Sequence, residues 1–91
     1  MNPGVYILQS LRNLRYYIGS TGDIENRLKD HNQGKVKATM HLRPWVVKGF
    51  VPCETMTLEK QSELRLKSYK SRKIVEKVIA DLIFPWDYKR P

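Results

Sequence analysis

The sequence predicts an α+β fold in which a small, three-stranded, mainly antiparallel sheet is flanked by helices, in the order β-β-α-β-α-α. Short runs rich in β-branched and aromatic residues predict the three strands, at 4–9, 15–20 and 45–51. Longer stretches with apolar residues three or four positions apart predict helices after the second strand and after the third. We expect the 91 residues to form one domain.

The first two strands are predicted to form a hairpin, because residues 10–14 between them suit a hairpin loop. Gly4-Val5-Tyr6 opens the first strand, and Tyr17-Ile18-Gly19 lies in the second. Pairing of the strands lets Tyr6 and Tyr17 share one face of the sheet. The glycines leave room for close approach of backbone or ligand. The alternative is that both tyrosines are ordinary core residues.

The first helix is predicted to begin after Asp23, a suitable N-cap, and to stop at 32–34, where Gly34 suits a left-handed position. Ile24 and Leu28 lie four apart and define its buried stripe. A basic loop follows to Pro44, and Gly49 indicates either a bulge or a tight approach in the third strand.

The second helix is predicted at 58–70 with Thr57 as its cap. Its expected inner stripe consists of Leu58, Ser62, Leu66 and Tyr69. The charged residues of this helix recur at spacings of four, four and three and define a neighbouring face: Glu59, Glu63, Lys67 and Lys70.

The third helix is predicted to begin at Ser71 and to be stopped by Pro85. Its apolar residues follow a 3.6-residue period: Ile74, Val75, Val78, Ile79 and Leu82. In the tail after Pro85, Trp86 is expected to pack back on the domain, and the last residues are expected to be mobile.

Charge points to a polyanionic partner. Seventeen Lys and Arg against nine Asp and Glu give a net charge of +8. Such a balance favours nucleic acid first and an anionic membrane surface second. Cys53 is the only cysteine, which excludes an intramolecular disulfide and a zinc site of several thiolates. We see neither a run of about 20 apolar residues nor a secretory signal, so we expect a cytoplasmic, intracellular location.

The two tyrosine triplets resemble the motifs of the GIY-YIG endonuclease superfamily, especially its small standalone members and related structure-specific nuclease subunits. The resemblance covers about residues 3–70, which leaves 71–91 as a C-terminal helix and tail. Val5 replaces the usual Ile of the first motif. Arg27, His31 and Glu63 match further family positions in order. The family often has a C-terminal Asn near its metal, and no Asn follows Asn32 in this chain.

The resemblance implies a metal-dependent DNA endonuclease that leaves 5′-phosphate and 3′-hydroxyl ends, with a role in DNA repair or recombination. Arg27 is the candidate phosphate clamp, because a guanidinium stays charged and can grip two phosphate oxygens. Tyr6 is the candidate general base or water-positioning group. Its phenol, with a pKa near 10, needs a cation that lowers this pKa or a partner that accepts its proton. His31 is that candidate partner, and Tyr17 is expected to position the phosphate or a metal-bound water.

His31 and Arg27 lie four residues apart, so they project from one side of the first helix. If His31 is an unperturbed histidine, cleavage should rise with pH as the imidazole loses its proton around pH 6 to 7. The alternative is that His31 is an exposed histidine at a helix end, and that Arg27 is a solvated surface charge.

Glu63 is the candidate ligand of a single Mg²⁺ or Mn²⁺ ion. A hard divalent ion keeps several waters and needs only one or two protein carboxylates besides phosphate oxygens. Glu59, one turn earlier, is a rival. We prefer Glu63, because an acid in the first helical turn is already explained by the helix dipole. The alternative is that Glu63 is a surface residue paired with Lys67.

Basic residues in the loop and near the junction of the last two helices are candidates for contact with DNA phosphates, which add affinity without sequence reading. They are Lys35, Lys37, Arg43, Lys67, Lys70, Arg72 and Lys73. Two other classes of function stay open. One is a non-catalytic, basic nucleic-acid-binding module of the same fold, and the other is a phosphate-binding interaction domain. A second protein that supplies target choice is a further expectation.

Overall fold

The computed structural model describes residues 3–87 of the chain. Its three strands form one antiparallel sheet in the order β2-β1-β3: β1 (Gly4–Ser10), β2 (Tyr16–Thr21) and β3 (Trp45–Pro52). The helices are α1 (Ile24–Asn32), α2 (Met56–Ser68) and α3 (Arg72–Asp81). Two short 3₁₀ turns lie at Met40–Leu42 and Pro85–Asp87. The predicted α+β class and the order of its elements are confirmed.

The β1–β2 hairpin is confirmed, and the strand ends lie within one residue of their predicted positions. Ser10 organises the loop, because its hydroxyl accepts hydrogen bonds from the backbone N–H groups of Arg12 and Asn13. Leu14 closes the loop in a left-handed conformation, with φ of 65°.

Of the two alternatives for Gly49, a bulge in β3 is confirmed. Ile7 faces Gly49, whereas the next residue, Leu8, faces Val47. Lys48 is therefore the extra residue of the pair, immediately before the glycine that predicted the irregularity.

Helix α1 begins as predicted, since the Asp23 carboxylate accepts a hydrogen bond from the Asn26 N–H. It ends before Gly34, whose φ of 79° is the left-handed conformation expected there.

Helix α2 departs from the prediction at both ends and on its buried face. Thr55, not Thr57, is the N-cap, and its hydroxyl accepts from the Leu58 N–H. Leu58 and Tyr69 are exposed by 45% and 38%, so the predicted inner stripe is wrong at these positions. Leu66 is buried as predicted, but it shares the inner face with two carboxylates: Glu59 and Glu63. The helix therefore buries the charged residues that would ordinarily face water.

Helix α3 begins at its predicted cap, because the Ser71 hydroxyl accepts from the Ile74 N–H. Pro85 does not stop it. The helix ends at Asp81, where Leu82 adopts a left-handed conformation and its N–H bonds to the Val78 carbonyl. Leu82 is 49% exposed and thus lies outside the buried stripe predicted for it.

The sheet carries a different core on each face, because successive residues of a strand point to opposite sides. On one face, aliphatic residues of β1 and β3 pack against α2 and α3: Val5, Ile7, Val51, Leu66, Val75 and Val78. We call this the aliphatic face. On the other face, Tyr6, Leu8 and Trp45 pack with Tyr17 and with α1 through Ile24 and Leu28. We call this the aromatic face.

The smaller predictions have mixed outcomes. Trp45 is a core residue, and Trp86 packs back by stacking on Phe84, with 4.7 Å between ring centroids. Cys53 packs against the aliphatic core. The expectation of mobility for the last residues concerns 88–91, which lie outside the described part of the chain. Within residues 3–87, no helix has the length and apolar character needed to cross a membrane.

Candidate active site

Tyr6 and Tyr17 meet on the aromatic face, as predicted. Tyr6 of β1 pairs with Gly19 of β2, and Tyr17 pairs with Leu8, so both rings point to the same side. The two ring centroids lie 6.4 Å apart. A Cβ on Gly19 would collide with the hydroxyl and ring of Tyr6. The glycine of the second triplet is therefore required by the tyrosine of the first.

Helix α1 brings two further predicted residues to the Tyr6 hydroxyl. The Arg27 Nε–H donates to the phenol oxygen over 3.3 Å. The Nε2 atom of His31 lies 2.8 Å from the same oxygen. The spacing of four residues does place both side chains on one side of the helix, and the residue on which they converge is Tyr6.

His31 is fully buried, so its interpretation as an exposed histidine at a helix end is wrong. Burial, together with the positive charge of Arg27, lowers the pKa of His31 from 6.5 to about 4, and Asp30 offsets this only in part. His31 is therefore not the unperturbed histidine that would lose its proton at pH 6 to 7. His31 is a neutral imidazole throughout the physiological range.

Burial also decides the protonation of Tyr6, whose exposed fraction is 1%. Burial raises the pKa of the phenol, and the hydrogen bond and charge of Arg27 lower it by less, so that the net shift is upward. A neighbouring cation, Arg27, does lower the pKa of the phenol, but burial outweighs it. The remaining hypothesis is that a partner accepts the proton during the reaction, and a neutral His31 is placed to do so.

Glu63 enters from the other side of the sheet. It lies on α2, and β2 is an edge strand, where the Ser20 hydroxyl donates to Glu63 Oε1 over 2.5 Å. The Lys67 ammonium donates to Oε2 over 2.6 Å and also lies 5.8 Å from the centre of the Tyr17 ring. The predicted pairing with Lys67 is present, yet Glu63 is only 4% exposed and is thus not a surface residue.

The Glu63 carboxylate is held in its charged form. Burial raises its pKa, but the hydrogen bonds from Lys67 and Ser20 and the charges of Lys67 and Lys60 outweigh burial and lower it overall. The negative charge of Glu63 is felt at Tyr6, where it raises the pKa of the phenol. Around the edge of β2, the fold thus brings together all five residues predicted as catalytic: Tyr6, Tyr17, Arg27, His31 and Glu63.

The rival carboxylate, Glu59, is buried one turn earlier on α2, with 6% exposed. Within the described residues, its Oε2 atom has no hydrogen-bond partner. Because a buried carboxylate oxygen without a donor is costly, Glu59 stays a second candidate for binding a cation.

The donor set fits one hard divalent ion of the kind that keeps most of its waters. Glu63 offers an ionised carboxylate that already attracts two ammonium groups, Lys67 at 2.6 Å and Lys60 at 3.5 Å. Across residues 3–87, no three His, Cys, Asp or Glu side chains gather into a larger metal-binding group. An ion here would therefore depend on Glu63, water and substrate phosphate, which is how Mg²⁺ is commonly bound.

All seven basic residues predicted to contact DNA are exposed, and four of them line two separate pockets. Lys67, Lys70 and Arg72 line an open groove of about 260 Å³ beside β2, together with Arg15, which the sequence did not single out. Its floor is apolar, and Lys67 links this groove to Glu63. Arg43 lines a separate open pocket of about 340 Å³ with Arg12 and His41.

Three polar residues of the site were missed from the sequence. Ser20 binds Glu63, and its position directly after the second triplet was a usable signal. Thr39 contacts His31 Nδ1 over 2.7 Å, and nothing in the loop pattern distinguished it. The Asn32 amide exchanges two hydrogen bonds with the backbone of Trp45 and so fixes the end of α1 against β3.

Comparison with known proteins agrees with this geometry. A family model described as the GIY-YIG catalytic domain matches residues 2–76. No curated protein and no solved structure gives a significant match. The family match spans both tyrosine triplets and reaches through α2, so it includes every residue of the site described above. The chain belongs to the GIY-YIG family.

Proposed function

We propose that this protein is a metal-dependent DNA endonuclease that hydrolyses phosphodiester bonds to 5′-phosphate and 3′-hydroxyl ends, in DNA repair or recombination. GIY-YIG domains are typically endonucleases that act on nucleic acid and generally use divalent metal ions. One observation carries the proposal. A buried phenol is bonded on one side to a guanidinium and on the other to a neutral imidazole.

That arrangement suits proton transfer from an attacking water. As the water oxygen bonds to phosphorus, the water proton moves to the Tyr6 oxygen and the Tyr6 proton moves to His31 Nε2. The P–O3′ bond breaks, its electron pair stays on the 3′ oxygen, and that oxygen takes up a proton from solvent to give the 3′-hydroxyl end. Because the phenol passes its own proton on to His31, a free phenolate never forms.

Arg27 is the proposed phosphate clamp, and it also controls access to Tyr6. Its side chain is 37% exposed, whereas Tyr6 is buried. At 3.3 Å, the hydrogen bond from Arg27 to Tyr6 is longer than the 2.8 Å contact between Tyr6 and His31. When Arg27 turns toward a phosphate, it exposes the phenol oxygen to the water that attacks that phosphate.

Glu63 would hold the divalent ion, and Lys67 and Lys60 would have to give way to it. When bound, the ion supplies neutralisation of phosphate charge and stabilisation of the leaving oxygen. Tyr17, half-buried beside Tyr6, would position the phosphate or a water.

The basic groove beside β2 would receive the nucleic acid. It adjoins Glu63 through Lys67, so a strand that lies along its Lys and Arg rim would pass close to Glu63. Phosphate contacts of this kind give affinity without reading sequence. A second protein would then supply target choice.

The test is incubation of the protein with branched and linear DNA in Mg²⁺, in Mn²⁺ and in chelator. We expect cleavage with either ion and none with chelator. Glu63→Gln should fold and bind DNA but lose cleavage, whereas Glu25→Gln, at an exposed acid of α1, should cleave as the wild type does. Glu59→Gln distinguishes the two candidate metal ligands. If Glu59→Gln loses cleavage and Glu63→Gln does not, the metal ligand is Glu59 rather than Glu63.

The non-catalytic alternative has support of its own, since Glu63 is already neutralised by Lys67. It predicts DNA binding without cleavage under every metal condition. In both cases the logarithm of affinity should fall with the logarithm of salt concentration, by about 0.9 for each phosphate contacted in duplex DNA. If DNA affinity does not change with salt concentration, the basic residues do not contact phosphates, and this part of both proposals is wrong.

A further inference from the structure

Thr39 lies in the loop after α1 and is fully buried, although loop threonines usually reach water. Its backbone and its hydroxyl are held by hydrogen bonds within the loop and from Trp45. Its N–H and its hydroxyl both reach the Val36 carbonyl, at 3.1 and 3.3 Å. Its own carbonyl accepts from the Trp45 indole N–H over 2.9 Å. The position of the Thr39 hydroxyl is therefore set by its own turn and by the core of the aromatic face.

The fixed hydroxyl meets the far side of the catalytic imidazole. His31 Nδ1 is 2.7 Å from Thr39 Oγ1, and His31 Nε2 is 2.8 Å from the Tyr6 oxygen. A neutral imidazole carries one N–H, so one of these contacts is donated by His31 and the other is accepted. Only a bare Nε2 can take the Tyr6 proton. The reaction therefore depends on which nitrogen carries the hydrogen.

Counting donors and acceptors selects one tautomer. With the hydrogen on Nδ1, His31 donates to Thr39, and Thr39 donates to the Val36 carbonyl. Tyr6 then donates to Nε2 and accepts from Arg27. In this series of hydrogen bonds, from Arg27 through Tyr6, His31 and Thr39 to Val36, every donor has an acceptor.

The other tautomer leaves the chain unsatisfied. With the hydrogen on Nε2, the Tyr6 oxygen would receive both His31 and Arg27 as donors. The hydroxyl hydrogen of Tyr6 would then have no acceptor in this chain, although Tyr6 is buried. A buried donor without an acceptor is destabilising, so this tautomer is disfavoured.

We propose that Thr39 is a positioning residue that holds neutral His31 in the Nδ1–H tautomer and so presents a bare Nε2 to the Tyr6 hydroxyl. Its effect on cleavage rests on the function proposed above, but the tautomer itself does not. Thr39 touches no reacting atom, and it acts through the hydrogen that it accepts from His31.

The experiment measures the His31 tautomer by long-range ¹H–¹⁵N NMR in the wild type, Thr39→Val and Thr39→Ser, with the exposed His41 as internal control. We expect the Nδ1–H form in the wild type and in Thr39→Ser. In Thr39→Val, which keeps the shape but lacks the hydroxyl, the population should shift toward Nε2–H. His41 should give the same signals in all three proteins.

The second measurement is single-turnover cleavage. If the tautomer controls proton transfer, Thr39→Val should lower the rate by about 10²-fold, the lower end for loss of a proton-transfer partner. DNA affinity should be unchanged, and Thr39→Ser should restore the rate. A structural role in the loop alone would lower stability in Thr39→Val and leave the tautomer and the rate per folded molecule as in the wild type.

The outcomes separate the two proposals. An Nε2–H tautomer in the wild type overturns the role of Thr39 whether or not Thr39→Val folds. So does an unshifted tautomer in folded Thr39→Val, or a shifted one with an unchanged rate. If the wild-type protein does not cleave DNA at all, the proposed endonuclease function fails, and the NMR comparison alone upholds or rejects the tautomer assignment.

Discussion

The two faces of the sheet use the same three strands for different purposes. On the aliphatic face, Val5 and Ile7 pack against Leu66 and the apolar side of α3. On the aromatic face, Tyr6 lies between them in sequence and carries a hydroxyl bonded to Arg27 and His31. Alternation along one strand is enough to separate the two environments.

The difference lies in how burial is tolerated. Apolar packing is non-directional and survives exchange of similar side chains, whereas a buried polar chain is stable only when each donor finds an acceptor. The aromatic face meets this condition through Thr39 and the Val36 carbonyl, which belong to a loop rather than to the sheet. The aliphatic face is thus built by apolar packing, whereas the polar chain of the aromatic face needs partners from α1 and from the loop after it.

The largest effects are expected when one variant on each face is compared: Tyr6→Phe on the aromatic face and Leu66→Ala on the aliphatic face. Tyr6→Phe removes the hydroxyl that we propose relays the proton, so the single-turnover rate should fall by about 10²–10⁴-fold. It should also lower the free energy of unfolding by about 1–3 kcal/mol, because His31 and Arg27 lose a buried partner.

Leu66→Ala leaves a cavity on the aliphatic face and should cost about 2–5 kcal/mol of stability. The rate per folded molecule should stay at the wild-type value. Denaturant melts and rates at saturating DNA separate the two effects. A wild-type rate in Tyr6→Phe would refute its role as base, and a slow Leu66→Ala would show that the faces are coupled.

The next effect concerns pH. The pKa of His31 is about 4 in the folded protein against 6.5 ordinarily, so between these values the unfolded chain binds more protons than the folded one. The stability contributed by a neutral His31 should be complete above about pH 6.5. It should decline as the pH falls toward 4, by up to about 3 kcal/mol in total.

His31→Gln should abolish this pH dependence, whereas His41→Gln, at an exposed site, should retain it. The measurement is the free energy of unfolding in urea from pH 4 to 8. For the same reason, His31 should contribute no inflection to the cleavage rate between about pH 5 and 8. An inflection near pH 6.5 that disappears in His31→Gln would mean that the imidazole titrates normally and is solvated.

The smallest effect tests the contact between the two triplets. Gly19→Ala places a methyl group against the Tyr6 ring and hydroxyl, and we expect a loss of about 1–3 kcal/mol of stability with slower cleavage. Gly22→Ala is the matched control, since a Cβ at Gly22 meets nothing within 4 Å. If Gly19→Ala and Gly22→Ala have the same stability and the same cleavage rate, the Tyr6 side chain can shift to accommodate the added methyl group.

Local patterns alone determined most of the fold. Alternation and β-branching specified three strands, and Asp23, Ser71 and Gly34 marked helix ends through interactions within one turn. The family resemblance then supplied the five candidate site residues, and the fold brings all five together. Such signals can be read from sequence because each depends on neighbours a few residues away.

Tertiary structure alone decided which charges are buried and which groups share a proton. The face of α2 that carries Glu59 and Glu63 looks like a surface in sequence, and it is buried because α2 packs along the edge of β2. The pKa shifts of Tyr6 and His31 arise from desolvation, which depends on everything packed around them. The contact of His31 with Thr39 joins a helix to a loop whose path no periodicity describes. Burial and hydrogen-bond partnership are properties of the assembled chain, so no local pattern contains them.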